Sequence, residues 1–218
     1  GRTVYDNIKK SMAFILPTNG GEAGIIVAAI LLGQMLPITP VQILWVNMVT
    51  AVTLALALTF EPAEAGVMSR PPRDPKEPLL TKHVLWRIGF VIPILVVGVF
   101  GLFVLERSSG ASLQSARTIA VNALVAFEIF YLFNSRFLLQ SALSWKGFFG
   151  HGYALLSVVG VLGFQMGFTY LPRLQRLFDS APISAVSWAH IFLVASSVWF
   201  LVELEKWIVR SFAPGRKG

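Results

Sequence analysis

The sequence predicts an all-α membrane protein, a bundle of six transmembrane helices preceded by a short cytosolic N-terminal stalk. The 218 residues are 55% hydrophobic and 13% charged, whereas a soluble domain carries about 25% charged residues. The apolar residues also form six runs of about 20 residues, the length an α-helix needs to cross the hydrocarbon core of a bilayer. The chain has no cysteine, which excludes disulfide bonds, thiolate metal sites and thiol catalysis.

Each element is predicted from a local pattern, in chain order. A polar, helix-compatible stretch over residues 1–11 (GRTVYDNIKKS) forms the stalk. Thr39 suits the N-cap of the second span and Pro40 its first helical position. The segment Glu61–Lys82, rich in proline and charge, forms the longest loop. The six spans are predicted at roughly 12–33, 40–60, 85–105, 116–135, 152–171 and 187–209.

The basic residues assign an orientation to these spans. Fourteen of the 18 Lys and Arg residues lie in or next to the N-terminal stretch, the loops after spans two and four, and the C-terminal tail. Cytoplasmic segments of membrane proteins are enriched in Lys and Arg, so both termini are predicted to be cytoplasmic. Topology therefore explains the net charge of +7, and the expected surroundings are membrane lipids and not nucleic acid.

Two glutamates lie near the middle of otherwise apolar spans, Glu22 in the first and Glu128 in the fourth. A carboxylate at bilayer depth costs about 2.5–3.5 kcal/mol on insertion scales, so such groups commonly bind an ion or carry protons. Asn19 lies one turn before Glu22, and Asn47 and Thr50 share one face of the second span. Their oxygens are hard ligands that suit calcium, sodium or protons, and calcium takes six to eight of them. All five residues are candidate cation ligands.

Other interpretations of these polar residues stay open. Asparagine and threonine also join transmembrane helices through hydrogen bonds, which applies to Asn19, Asn47 and Thr50, and to Asn122 in the fourth span. Pro17 and the glycines that follow it either open the first helix beside the site or form an ordinary kink.

The other ionisable residues near the spans are interpreted as structural. Glu203 and Glu205 lie towards the end of the last span, where they can snorkel or pair with Lys206 and Arg210. An intramembrane enzyme would need a histidine cluster or a Ser/Lys or Asp/Asp arrangement inside the spans. The three histidines lie near span ends, at positions His83, His151 and His190. No catalytic residue is therefore predicted.

Four stretches of the chain carry a family resemblance. They are GRTVYDNIKK with its continuation TNGGEA, the run TPVQILWVNMVTAVTLALALTF ending at Phe60, the string MSRPPR at Met68–Arg73, and ARTIAVNALVAFEIFYLFNSR at Ala116–Arg136. Together they resemble the C-terminal transmembrane region, from the fifth to the tenth membrane helix, of type II P-type cation ATPases. The sarcoplasmic-reticulum-type calcium pumps are the best-known members. The resemblance covers essentially the whole chain and implies a single C-terminal transmembrane domain over residues 1–218.

The resemblance implies ion-ligand roles for the same five residues. Asn19 and Glu22 match ligands of the family's fifth helix. Asn47 and Thr50 match ligands of the sixth helix, and Glu128 matches the ligand of the eighth.

Position 51 departs from the family pattern. Similar calcium pumps carry an aspartate there that serves both of their ion sites, and this chain has Ala51. Residues 52–54 (VTL) also replace the family's usual Gly-Leu-Pro run. Glu22 and Glu128 supply at most two negative charges, so one calcium ion is expected where the family binds two. Sodium, potassium or protons remain open as alternatives.

The resemblance also implies parts of a pump that these 218 residues do not contain. These are a fourth membrane helix with further ligands, a phosphorylated aspartate in a DKTGT motif, and a domain that binds magnesium-ATP. Because the sequence opens at Gly1 inside the stalk, we expect a segment of a longer pump, whose N-terminal portion is its partner. This segment alone is not expected to hydrolyse ATP.

The expected function is therefore that of the ion-binding half of an ATP-driven pump. It exports calcium or another small cation from the cytoplasm, with protons returning, in the plasma membrane of a prokaryote. The alternative is a stand-alone six-helix cation channel or carrier without ATP coupling.

Overall fold

Most of the residues that the structure describes lie in helices. The computed structural model describes residues 1–61, 79–136 and 152–212, and within these ranges it contains no β-strand. Six helical segments of this part of the chain are long and apolar enough to cross a membrane. The predicted all-α fold with six spans is confirmed.

The observed helices follow the predicted spans closely, with three differences. The stalk and the first span form one continuous helix, the second span contains a π-helical segment, and a short helix follows the fifth span. The helices are α1 Arg2–Leu31, α2 Pro40–Val46, the π segment Asn47–Ala51, α3 Val52–Thr59, α4 Lys82–Ser108, α5 Leu113–Ser135, α6 Gly152–Tyr170, α7 Pro172–Phe178 and α8 Ala185–Phe212. Most of the predicted loop Glu61–Lys82, with its MSRPPR string, lies outside the described residues, as does His151.

Side-chain caps define where three of these helices begin. The Thr39 hydroxyl accepts from the backbone N–H of Gln42 at 3.3 Å, and the Gln42 side chain accepts from the Thr39 N–H at 3.0 Å. Thr39 is the N-cap and Pro40 occupies the first helical position, as predicted, and the bonds with Gln42 complete a capping box. Thr81 and Ser112 cap α4 and α5 in the same way through their hydroxyl groups.

Helix α5 lies at the centre of the bundle and contacts α1, α4 and α8. It is buried along most of its length, unlike the other spans. Small side chains at Ala116, Ala120 and Ala123, all fully buried, allow neighbouring backbones to approach closely. A carboxylate on α5 is therefore surrounded by protein and not by lipid.

Helix α4 packs directly against the glycines of α1 that flank Glu22. A Cβ atom on Gly21 would lie 2.8 Å from Leu95 Cδ2, and one on Gly24 would lie 2.7 Å from Val96 Cγ2. Both distances are too short for real contacts, so only glycine permits this approach. The glycines beside Glu22 therefore serve helix packing.

Alanine at Gly98 is expected to destabilise the protein, whereas alanine at Gly101 on the same helix is not. A Cβ atom at Gly98 would overlap the ring of Phe127, which is fully buried, while at Gly101 it would meet no neighbour within 4 Å. Overpacking of this kind costs about 1–3 kcal/mol, and replacing an unconstrained helical glycine by alanine stabilises by about 0.5–1 kcal/mol. Thermal unfolding of the two purified variants in detergent tests this. Equal shifts for both variants would contradict the packing seen between α4 and α5.

Candidate cation-binding site

Four of the five predicted ligands lie together where α1, the π segment and α5 meet. Glu22 of α1 is 6% exposed, Glu128 of α5 is 2% exposed and Thr50 of the π segment is 1% exposed. Asn47 is half-buried. Asn19, one turn before Glu22, is exposed and lies outside this buried group. We call Glu22, Asn47, Thr50 and Glu128 the polar cluster.

Among the described residues, Glu22 has one hydrogen-bond partner for its carboxylate, Asn47 of the π segment. Asn47 Nδ2 donates to Glu22 Oε2 at 2.7 Å and to the Ile43 carbonyl at 3.2 Å. A carboxylate has two oxygens with about four acceptor positions. One amide bond leaves most of the acceptor capacity of Glu22 available to a cation or a proton.

Glu128 is more completely enclosed than Glu22. Its carboxyl interacts with the Thr50 side chain and with the charge of Glu22. Its Oε2 atom is buried without a hydrogen-bond partner among the described residues. An unsatisfied buried acceptor costs about 1–3 kcal/mol, and more when it is charged. A bound cation or proton would remove this cost.

Thr50 presents an oxygen to the same space. Its hydroxyl hydrogen is donated to the Val46 carbonyl at 2.8 Å, so the lone pairs of Oγ1 remain available. Among the described residues, no three His, Cys, Asp or Glu side chains form a group that could hold a metal ion. The two carboxylates therefore need amide and hydroxyl oxygens to complete any ligand set.

The π segment Asn47–Ala51 is the feature that sequence reasoning missed. We predicted residues 40–60 as one uninterrupted span, but i→i+5 hydrogen bonds widen the helix where Asn47 and Thr50 lie. Such π-bulges are rare and occur frequently at functional sites. β-branched residues crowd an α-helix, and those around Thr50 are a sequence signal, though a weak one, for an irregularity.

Asn122 belongs to a different network, on the other side of α5. Its Nδ2 donates to the Thr118 carbonyl and to Thr169 Oγ1, both at 2.9 Å. Its Oδ1 accepts from Gln165 Nε2 at 3.1 Å, and Gln165 Oε1 accepts from the Trp45 indole at 2.7 Å. Asn122 therefore joins helices, and its network anchors Trp45 immediately before the π segment.

The acidic residues of α8 pair inside the bundle. Glu203 pairs with Lys206 at 2.8 Å, as predicted. Glu205 pairs with Arg87 of α4 at 2.6 Å, so the prediction that it snorkels or pairs along its own helix with Lys206 or Arg210 was wrong. Both glutamates are buried because α8 packs against α4 and α5.

Comparison with known proteins identifies the family of this chain. Residues 35–208 match the family model described as "Cation transporting ATPase, C-terminus". The chain belongs to this family. The predicted resemblance to the C-terminal membrane region of P-type cation ATPases is thereby confirmed.

Individual members of the cation-transporting ATPase family match over almost the whole chain. "Probable cation-transporting ATPase F" of Mycobacterium tuberculosis is 46% identical over 96% of this chain. "Cation-transporting ATPase pma1" of Synechocystis is 38% identical over 87% of it, and "Calcium-transporting ATPase" of Bacillus subtilis is 30% identical over 93%. The chain spans 23%, 21% and 23% of these relatives' respective lengths. It corresponds to the C-terminal membrane region of P-type cation ATPases and is an integral, multi-pass protein.

Proposed function

We propose that this chain is the single C-terminal, ion-binding domain of an ATP-driven pump that exports calcium from the cytoplasm, one ion per cycle. The observation that carries the proposal is the polar cluster. Glu22 and Glu128 are buried on two helices close enough for their charges to interact, and Glu128 Oε2 has no hydrogen-bond partner among the described residues. Relatives at 30% and 34% identity in Bacillus subtilis and Bacillus cereus bear the name of calcium-transporting ATPases, which supports calcium over other cations.

The ligand set favours one hard cation. Glu22 and Glu128 offer up to four carboxylate oxygens, and Asn47 and Thr50 offer one oxygen each, whereas Asn19 is exposed and lies outside the polar cluster. The cluster therefore offers up to six oxygens, the lower end of the six to eight that calcium takes. For Asn47 to contribute, its amide must rotate, because Nδ2 and not Oδ1 now faces Glu22.

The continuous helix α1 supports coupling to ATP hydrolysis. In the proposed pump, magnesium-ATP phosphorylates a cytosolic domain elsewhere in the longer protein, and the resulting movement reaches this chain through residues 1–11. Because these residues and Glu22 lie on one helix, a displacement of the stalk moves Glu22 relative to Glu128. The ion leaves on the far side, and protons return on the two carboxylates. Both termini face the cytoplasm, and the membrane is the plasma membrane of a prokaryote.

Calcium uptake by inside-out membrane vesicles tests this function in the full-length pump. ATP should drive accumulation of calcium, and calcium should stimulate formation of the phosphorylated enzyme. Stimulation by sodium or potassium without calcium would contradict the proposed ion. Calcium flux that needs no ATP would favour the alternative, a channel or carrier.

Aspartate at position 51 is expected to strengthen calcium binding by about tenfold, or to add a second ion. The substitution Ala51→Asp returns the carboxylate that similar calcium pumps carry at this point of the sixth helix. A hydrogen bond to a charged group contributes about 1.5–3 kcal/mol, and dehydration of the added carboxylate offsets part of a gain of this size. Equilibrium binding of radioactive calcium gives affinity and stoichiometry together, and Ala51→Asn is the matched neutral control. Equal binding by the two variants would contradict the assignment of the π segment to the ion site.

A further inference from the structure

Pro17 leaves a backbone carbonyl of α1 that another helix satisfies. Pro17 is buried inside α1 and has no N–H, so the Ala13 carbonyl lacks its usual i+4 donor. Tyr131 Oη of α5 donates to that carbonyl at 2.7 Å. One residue further on, the Thr18 hydroxyl donates to the Phe14 carbonyl at 3.1 Å. The proline and the tyrosine are therefore complementary features of two helices.

Tyr131 is itself fixed by its surroundings. Its side chain is 1% exposed and stacks on Phe14, with ring centroids 6.1 Å apart and planes 18° apart. Its hydroxyl also interacts with the Arg87 guanidinium of α4, which pairs with Glu205 of α8 at 2.6 Å. One chain of interactions thus runs from α8 through α4 and α5 to the turn of α1 that contains Pro17.

The hydrogen bond between Tyr131 and Ala13 connects the two helices that carry the carboxylates. Tyr131 follows Glu128 by three residues, so both side chains lie on the same side of α5. Pro17 precedes Glu22 by five residues on α1. Tyr131 therefore lies less than one turn from Glu128, and Ala13, which accepts its hydrogen bond, lies about two and a half turns from Glu22.

We propose that Tyr131 is a positioning residue of the cation site, which holds the turn of α1 around Pro17 in place and so sets Glu22 opposite Glu128. The proposal rests on the proposed function, because it assigns Tyr131 to the geometry of that same site. Ring packing alone does not provide this role, since a phenylalanine would stack on Phe14 equally well. The hydroxyl is what fixes the register between α1 and α5.

The first test compares two substitutions that each remove one tyrosine hydroxyl from the full-length pump. Tyr131→Phe should raise the calcium concentration for half-maximal phosphorylation by about three- to tenfold, the effect of one lost hydrogen bond. The maximal level of phosphorylated enzyme should not change. Tyr170→Phe, whose hydroxyl donates to the Ile183 carbonyl at 3.0 Å, should leave both values unchanged. An unchanged half-maximal concentration in Tyr131→Phe would overturn the proposal.

A second substitution separates positioning from general stability. Pro17→Ala returns an N–H to the Ala13 carbonyl, so the Tyr131 hydroxyl is no longer needed there. In that background, Tyr131→Phe should change the half-maximal calcium concentration by less than about twofold. An equal loss in both backgrounds would overturn the proposal. Tyr131→Phe alone could fail to accumulate in the membrane. In that case the double variant Pro17→Ala with Tyr131→Phe should still accumulate, and failure of the double variant would also overturn the proposal.

A distance measurement tests the geometry of α1 around Pro17 without any cation, so that its outcome is independent of the ion assignment. Val4 and Val27 are exposed on α1 on either side of Pro17, about 35 Å apart in a straight helix. Spin labels at Val4→Cys and Val27→Cys, in a pump without other reactive cysteines, should give a narrow distance distribution. Tyr131→Phe should broaden or shift it, and Tyr170→Phe should not. A wild-type pump whose phosphorylation does not depend on calcium would contradict the proposed function. An unchanged distance distribution in Tyr131→Phe would contradict the positioning role of Tyr131.

Discussion

Glutamine at Glu22 is expected to lower the calcium affinity of the full-length pump by about 100-fold or more. The substitution keeps the size of the side chain and an oxygen that can accept from Asn47, and it removes the charge. A unit charge pair 4 Å apart is worth about 4 kcal/mol at an effective dielectric constant of 20, which corresponds to roughly a thousandfold in affinity. The neutral amide is easier to dehydrate, which offsets part of that loss. Calcium-dependent phosphorylation by ATP measures the change.

Two further substitutions by glutamine show whether the loss of calcium affinity is specific to the proposed site. Glu128→Gln should have an effect of similar size, since Glu128 is buried in the same polar cluster. Glu106→Gln removes a carboxylate that pairs with His190 at 3.5 Å, near the far end of α4. It should leave calcium affinity within about twofold of the wild-type value, as a partly exposed pair contributes little. Equal affinities in Glu22→Gln and Glu106→Gln would exclude Glu22 from the site.

The helices and the carboxylates could be predicted because each depends on local sequence. The length of an apolar run sets a span, and Thr39 with Pro40 and Gln42 sets the start of α2 through bonds within one turn. Glu22 and Glu128 stand out because an ionisable residue in an apolar run is costly. The exposure of Asn19 could not be predicted, because it depends on which face of α1 the other helices cover.

The π segment and the Tyr131 contact could not be predicted for a related reason. A π-bulge gains little from its own residues and is stabilised by the neighbours that its side chains meet. Tyr131 donates to a carbonyl 118 residues away in sequence, and no periodicity connects the two. Pro17 predicted a freed carbonyl on α1 but gave no indication of the residue that would satisfy it.

Alanine at Arg136 is expected to destabilise the protein by about 3–5 kcal/mol, since it leaves a buried carboxylate unpaired. Arg136 directly follows α5, and its Nε and Nη2 atoms donate to Glu61 Oε1 at 3.0 and 2.9 Å. The two side chains are 3% and 8% exposed. The Glu61 carbonyl also accepts from Asn7 Nδ2 at 2.7 Å. The pair thus joins α1, α3 and α5 at the end of the bundle where α1 begins. Its loss should loosen α1 and α5, which carry the two carboxylates, and α3, which follows the π segment.

A second arginine near the opposite end of α5 provides the control for this loss. Arg117 lies 3.9 Å from Asp179, whose side chain is 55% exposed, so Arg117→Ala should cost only about 1 kcal/mol. Replacing both members of the buried pair, as Glu61→Leu with Arg136→Met, should recover most of the stability, because no buried charge is then left alone. Thermal unfolding of the purified variants in detergent compares the three. If Arg136→Ala unfolds no earlier than Arg117→Ala, the buried pair does not hold these helices together. If the double variant is stable but loses calcium affinity, the pair sets the geometry of the site and not only the stability of the bundle.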